Sequence, residues 1–201
     1  MDEQSMIHAA QKGDLEAFNR LVLFYQDAIY NQAFRVMGEK QAADDATQET
    51  FISAYRNIRS YRGGSFKAWL LRIVTNACYD ELRLQQRRPT TPFEPYNAED
   101  EEIESNLWMI DPGEKPEDCL ERLELGNAIQ NCLNQLPLDF RTVVVLVDIQ
   151  GMDYQEASDV IKKPVGTVKS RLSRARMRLK DCLQGFWELL PDRFRLKQEG
   201  I

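Results

Sequence analysis

The chain has 201 residues, a formal net charge of −6, and 43% hydrophobic and 29% charged residues, which is typical of globular proteins. It has no run of about 18 apolar residues and no basic segment followed by an apolar stretch at its N-terminus. We therefore expect no membrane span, no secretory signal and a cytoplasmic location. His8 is the single histidine and the four cysteines do not cluster, so the sequence predicts no metal site, no cofactor and reduced thiols.

The charge is arranged in blocks. Every charged residue between positions 162 and 180 is basic, and the segment 56–88 is mostly basic, whereas 89–118 is strongly acidic. Two basic surfaces separated by an acidic segment favour two contacts with one polyanion. Two ordinary solvated helix faces would give the same pattern, so charge alone leaves both interpretations open.

The N-terminal part of the chain predicts a helical domain over 1–88. Apolar residues at helical spacing predict one helix over 8–30 and a second that begins near Ala42. Two glycines then interrupt the pattern, and Ser65 is expected to cap a third helix that continues to about Arg88. The stripe of this third helix makes Trp69 a core residue by prediction.

The remaining chain predicts a linker, a second helical domain and a tail. The acidic segment 89–116 contains five prolines and is predicted to be a flexible linker, in which the apolar cluster 107–110 is either a docking segment for a partner or a domain, or a transient apolar patch. The range 117–184 predicts helices, including a buried one across the valine-rich run that begins at Val143. The role of the tail, 185–201, is left open.

The most specific pattern, over residues 153–172, predicts a helix-turn-helix. Small residues favour a close helix crossing, and the second helix would bury Val165, Val168 and Leu172. The opposite face would present donors to a DNA major groove: Lys169, Ser170, Arg171, Ser173, Arg174 and Arg178. An isolated arginine-rich surface helix is the alternative, but the preceding helix and turn weigh against it.

The segment 164–176 resembles the promoter-recognition helix of the extracytoplasmic-function (ECF) sigma factors. The segment 45–51, with Tyr55 and Arg56, is similar to that family's polymerase-binding helix. The family's minus-ten-element segment is similar to the segments 61–63 and 69–73 of this chain, together with Asn76, Asp80 and Arg83. The resemblance covers roughly 5–88 and 117–183 in the family's order. Two positions depart from the usual family pattern: Ala42, where an acid is common, and Lys162, where a glycine is common at the turn.

The resemblance implies an all-α protein of two small helical domains, the second with the helix-turn-helix, that directs core RNA polymerase to promoters and helps to open them. It implies that the minus-thirty-five element is bound by Thr167, Lys169, Ser170, Arg171, Arg174 and Arg178. It implies that the minus-ten element is bound by Tyr61, Arg62, Gly63, Ser65, Asn76, Arg83 and Arg87. Polymerase would be bound by Asp45, Gln48, Glu49 and Phe51. Further expectations are an anti-sigma partner, a monomeric free state and no fixed spacing between the two domains before polymerase binds.

Three other functions compete with this one, and one of them is a pure interaction scaffold, which a failure to bind any DNA with polymerase present would favour. A homodimeric helix-turn-helix regulator would explain the C-terminal domain but leaves 45–88 unexplained. An enzyme is disfavoured, because the sequence has no P-loop, no GxGxxG and no nucleophile–base set.

Overall fold

The computed structural model describes residues 2–87 and 116–190, and within these two ranges every regular element is helical. The N-terminal half contains four α-helices: α1 (Glu3–Gln11), α2 (Leu15–Met37), α3 (Lys40–Asn57) and α4 (Phe66–Arg87). The C-terminal half contains α5 (Pro116–Asn134), α6 (Leu138–Val144), α7 (Tyr154–Ile161) and α8 (Val165–Leu183). Shorter elements are the 3-10 turn Ile58–Ser60, the π-helical turn Val145–Ile149 and the 3-10 helix Gln184–Leu189. Apart from Pro116, which begins α5, the predicted linker with its cluster 107–110 lies outside the described residues, and so does the tail from 191.

The single helix predicted over 8–30 is wrong, because the chain breaks between α1 and α2. Gly13 adopts a φ of 100°, which a side chain would disfavour. The Asp14 side chain accepts a hydrogen bond from the Ala17 backbone N–H at 3.0 Å and so caps the start of α2. Leu15, which the periodicity placed in the apolar stripe, is 55% exposed as a result.

The start of α4 follows the prediction closely. Ser65 Oγ accepts a hydrogen bond from the Ala68 N–H at 3.1 Å, as the predicted cap requires. Phe66 and Leu70 are each only 1% exposed, and they pack between α2 and α3 in the core of this half. Trp69 is half-buried and packs against that core without entering it fully.

The valine-rich run of the C-terminal half is helical, as predicted. Residues 143–146 are 0–2% exposed and lie in α6 and the π-helical turn. Gln150 caps the end of the π-helical turn, and Gly151, which follows it, has a φ of 73°. The chain then enters α7 through Asp153, whose side chain accepts from the N–H of Glu156 at 2.8 Å.

The cysteines correct one expectation. Cys132 in α5 and Cys182 in α8 form a disulfide with a Cα–Cα distance of 5.7 Å, so the prediction of reduced thiols is wrong for this pair. Their separation of 50 residues hides the pairing in the sequence, because only the fold brings α5 beside α8. Cys78, in contrast, is free and buried, and burial raises the pKa of its thiol to about 12.

The two halves pack on each other, although the sequence predicted no fixed spacing between them. α4 contacts α7, and α2 contacts α5 and α6. Arg35 Nη1 of α2 donates to Gln130 Oε1 of α5 at 3.1 Å, and Arg141 Nη1 of α6 donates to the Val36 carbonyl at 2.7 Å. Arg35 is buried and Arg141 is half-buried between helices, and this burial lowers the pKa of both. Hydropathy patterns do not predict such contacts.

A candidate nucleic-acid interface

α8 divides into a buried stripe and a cationic exterior. Val168, Leu172 and Ala175 are 0–2% exposed and Val165 is half-buried, which confirms the predicted anchoring face. This stripe packs against α6, α7 and α5, so the helix is held by the whole C-terminal half. Long basic side chains leave the helix on both sides of the stripe, and side chains of neighbouring elements contact them.

On the side nearest α6, two arginines are held by adjacent residues of that helix. Arg171 Nη2 lies 2.5 Å from Asp139 Oδ2. The guanidinium carbon of Arg178 lies 5.3 Å from the centre of the Phe140 ring, within the range of a cation–π contact. Both arginines were predicted site residues, whereas Asp139 and Phe140 were not.

On the other side of α8, contacts come from the π-helical turn and α7. Arg176 donates through Nη2 and Nε to the two carboxylate oxygens of Asp148, at 2.5 and 3.0 Å. This hydrogen-bonded pair raises the pKa of Arg176. Lys169 Nζ lies 5.4 Å from the centre of the Tyr154 ring. Arg176 therefore faces its own domain.

The outward ridge of α8 lies between these two rows. Ser170, Ser173 and Arg174 are exposed, and Thr167 is half-buried. The hydroxyl of Ser170 donates to the Thr167 carbonyl at 3.0 Å. The short side chains of the two serines project little from the middle of the ridge, whereas the long side chain of Arg174 extends from it.

The loop before α4 forms an aromatic cluster beside a cleft. The Tyr61 ring centre lies 5.3 Å from that of Phe66 and 5.5 Å from that of Trp69, and the Tyr61 hydroxyl donates to the Gly64 carbonyl at 2.6 Å. Burial is the main cause that raises the pKa of Tyr61. Gly63 and Gly64 adopt φ values of 103° and 94°, which only glycine takes readily.

The cleft beside this loop is shared between the halves. Tyr61, Arg62, Gly63, Ser65, Trp69 and Arg72 line it from the N-terminal half. Glu156, Asp159 and Val160 of α7 line it from the C-terminal half. The structure therefore brings four predicted minus-ten residues together, and it places two carboxylates of α7 at the same cleft.

A second cleft joins predicted residues of both DNA elements. Asn76 and Arg83 of α4 line it together with Arg171 of α8 and the turn lysines Lys162 and Lys163. The backbone of Arg87 ends α4, but its side chain lies outside the described residues. In this arrangement the minus-ten and minus-thirty-five candidates face each other.

The predicted polymerase-binding residues lie on α3. Asp45, Gln48 and Glu49 are exposed, whereas Phe51 is half-buried against the core. Asp45 and Glu49 line a groove between α3 and α4. Asp80 and Glu81 extend its acidic lining from α4. The part of the chain that the structure describes contains no cluster of histidine, cysteine or acidic residues fit for a metal ion.

Comparison with known proteins gives two family matches in the order of the two halves. Residues 21–88 match the model for sigma-70 region 2, and residues 126–179 match the model for sigma-70 region 4. The RNA polymerase sigma-H factor of Pseudomonas aeruginosa is 37% identical over 183 residues, covering 90% of this chain and 94% of that protein. The chain belongs to the ECF sigma factors.

Two further relatives support this membership. The ECF sigma factor SigW of Bacillus subtilis is 37% identical over 179 residues, covering 89% of this chain and 95% of that protein. The solved structure of CnrH in complex with the cytosolic domain of CnrY is similar with a TM-score of 0.64 at 27% identity, covering 91% of this chain and 97% of that chain. This sigma factor is thus a transcription initiation factor. Its described helices include none long and apolar enough to span a bilayer.

Sequence reasoning missed the residues that hold the cations of this sigma factor. Asp139 and Phe140 stand in the first turn of α6, and Asp148 and Tyr154 flank the glycine turn. Both pairs are far in sequence from the cations of α8 that they contact, so the repeat of apolar residues along the chain does not indicate these contacts. The sequence does show Phe140 next to Asp139, but only the packing of α6 on α8 brings these two residues against Arg178 and Arg171.

Proposed function

We propose that α8 is the helix of this sigma factor that binds the minus-thirty-five element of its promoters. The observation that carries the proposal is the arrangement of basic side chains on both sides of one buried stripe, with an exposed ridge between them. Such a helix can enter a major groove with its ridge towards the DNA, where an arginine held at the edge of the ridge can reach a base and the mobile cations can reach the phosphates. Within this arrangement, Thr167, Ser170 and Arg171 are assigned to the bases, and Lys169, Arg174 and Arg178 to the phosphates.

We propose that the loop around Tyr61 binds the minus-ten element. A base that leaves the duplex needs an aromatic surface and a backbone that can be approached closely, and base stacking on an aromatic ring contributes about 1–3 kcal/mol. The cluster of Tyr61, Phe66 and Trp69 next to Gly63 supports this assignment. Ser65, Arg62 and Arg72 line the same cleft, and Asn76, Arg83 and Arg87 follow along α4.

We propose that polymerase binds the exposed acids of α3 and holds the halves apart. Asp45, Gln48 and Glu49 are accessible in the closed arrangement, so polymerase can engage them first, with Phe51 supporting α3 from below. The domain assignment follows: 1–88 binds polymerase and the minus-ten element, and 117–184 binds the minus-thirty-five element. The factor itself catalyses no reaction and works in the cytoplasm, where polymerase is.

We also propose that an anti-sigma protein controls this factor. CnrH, which is similar over 91% of the chain, was solved in complex with the cytosolic domain of CnrY. A partner of that kind could hold the two halves together and keep both DNA surfaces covered.

Run-off transcription with core polymerase and a set of candidate promoters tests the assignment of α8. The double variant Arg171→Ala/Arg174→Ala should lose initiation but keep polymerase binding, since neither residue lies on α3. A matched control, Lys12→Ala/Arg20→Ala, removes two exposed cations, one at the C-cap of α1 and one on α2, and should initiate normally. Normal initiation by the α8 variant would refute the assignment. Tight binding of a palindromic duplex without polymerase would instead favour a homodimeric regulator.

A further inference from the structure

We infer that Asp139 is a positioning residue, which fixes the orientation of Arg171 and so increases the discrimination of α8 between DNA sequences. The inference rests on the proposed function of α8 as the helix that binds the minus-thirty-five element. It assigns a role in sequence selection to a residue that lies on another helix and that carries the same sign of charge as DNA.

The geometry of the pair restricts the arginine. Asp139 Oδ2 lies 2.5 Å from Arg171 Nη2, and the Arg171 side chain is only 20% exposed. Asp139 stands in the first turn of α6, where the positive end of the helix dipole stabilises a carboxylate. α6 in turn packs along α8. The guanidinium is therefore attached to a fixed point of the domain at the edge of the reading helix.

The charge of Asp139 argues against a role in affinity. A carboxylate next to a DNA-binding arginine repels phosphate and offsets part of the attraction of the cation. A helix that needed only affinity would bind better without it. A fixed guanidinium does help base recognition, because the two donors must match the planar pair of acceptors on a guanine edge.

Arg174 provides the contrast on the same helix. Its side chain is exposed, and no carboxylate among the described residues forms an ion pair with it. A mobile arginine of this kind can follow a phosphate in many orientations, and its contribution depends little on sequence. The two arginines thus differ in what holds them, which predicts different effects on selectivity.

The test uses the full chain assembled with core RNA polymerase and a pool of duplexes with a randomised segment of 20 base pairs. Sequencing of bound DNA gives the base preference at each position, and titration of one fixed, unrelated duplex gives sequence-independent affinity. The variants are Asp139→Asn, Arg171→Ala and the two combined. Asp181→Asn is the matched control, because it makes the same charge change on α8 at a residue without an ion pair in the described chain.

Asp139→Asn should reduce the preference by about fivefold or more at the base pairs where Arg171→Ala also reduces it. Its binding of the unrelated duplex should be equal or stronger, as with Asp181→Asn, which should leave the preferences unchanged. In the Arg171→Ala background, Asp139→Asn should cause no further loss of preference. This dependence on Arg171 separates positioning from a general structural role.

Three results would overturn the inference. Asp139→Asn could keep the wild-type preferences while Arg171→Ala changes them, and the inference alone would then fail. Asp139→Asn could weaken binding of selected and unrelated duplexes in proportion, with a lower melting temperature, which would indicate a structural role. If Arg171→Ala changes no preference at all, the inference and the proposed role of Arg171 in reading the promoter fail together.

Discussion

Lys67→Met is expected to move this sigma factor from the closed arrangement towards one with separated halves. Lys67 Nζ of α4 donates to the Gln150 carbonyl at 2.8 Å, and the Gln150 side chain donates to the Ala28 carbonyl at 3.1 Å. Methionine keeps the length of the side chain but removes the charged donor. The Gln150 carbonyl then lacks this bond in the closed state, whereas water replaces it in the open state.

The magnitude follows from the kind of bond that is lost. A hydrogen bond from a charged donor contributes about 1.5–3 kcal/mol, and the half-buried position of Lys67 favours the lower limit. The ratio of closed to open molecules should therefore fall about tenfold. Arg35 and Arg141 still connect the halves in this variant, so we expect partial opening.

The assay is small-angle X-ray scattering of the full chain without polymerase, together with single-molecule energy transfer between dyes on the two halves. The variant should show a larger radius of gyration and a larger low-transfer population than the wild type. Lys12→Met removes the same charge at an exposed residue of the N-terminal half and should leave both readouts unchanged. Equal distance distributions in Lys67→Met and wild type would refute the idea that this bond holds the halves together.

Three further predictions concern stability. Lys162→Gly should raise the free energy of unfolding of the C-terminal half by about 0.5–1 kcal/mol, since relief of the left-handed backbone (φ 52°) exceeds the entropy cost of glycine. Urea titration checks this, and Lys162→Ala, which removes the charge but keeps the strain, should give no gain. Reduction of the Cys132–Cys182 disulfide should lower that free energy by about 4 kcal/mol for a closed loop of 50 residues. The doubly substituted Cys132→Ala/Cys182→Ala protein should not respond to reductant. The raised pKa of Cys78 means that the folded state holds this proton more tightly than the unfolded state. The contribution of this proton to the free energy of unfolding is complete below pH 9. It is lost as the pH rises to about 12, by about 1.4 kcal/mol per pH unit. In urea titrations across this range, Cys78→Ala should remove that slope, and an unchanged slope would contradict the burial argument.

Local signals made the helix-turn-helix predictable from the sequence. The spacing of Val168 and Leu172 and the short turn at Lys162 act within a few residues of chain, and the structure follows them. The break at Gly13 is also a local feature, but the apolar pattern continues through it, and for that reason the sequence predicted one helix where the structure has two. Periodicity reports which face is buried, and it is a weaker guide to where a helix ends.

The contacts that hold the site together depend on distant residues and were not predictable in this way. Arg171 and Asp139 are 32 positions apart in the sequence, so their pairing depends on how α6 packs on α8. Arg35 and Arg141 are charged residues that the composition would place on the surface, yet Arg35 is buried, Arg141 is half-buried, and each donates to the other half. The same reason hid the Cys132–Cys182 pair.

The closed arrangement links these contacts to promoter binding through electrostatics. Glu156 and Asp159 line the cleft of Arg62 and Arg72, so in the free factor carboxylates occupy a site proposed for the phosphates of the minus-ten strand. If a DNA strand displaces α7 from this cleft, the bonds of Arg35 and Arg141 between the halves must break as well, which adds an opening cost to the binding free energy. A larger partner that binds α3 and holds the C-terminal half at a fixed separation meets that cost before DNA arrives. On this proposal, selective initiation by the polymerase complex and weaker DNA binding by the free factor have the same physical cause.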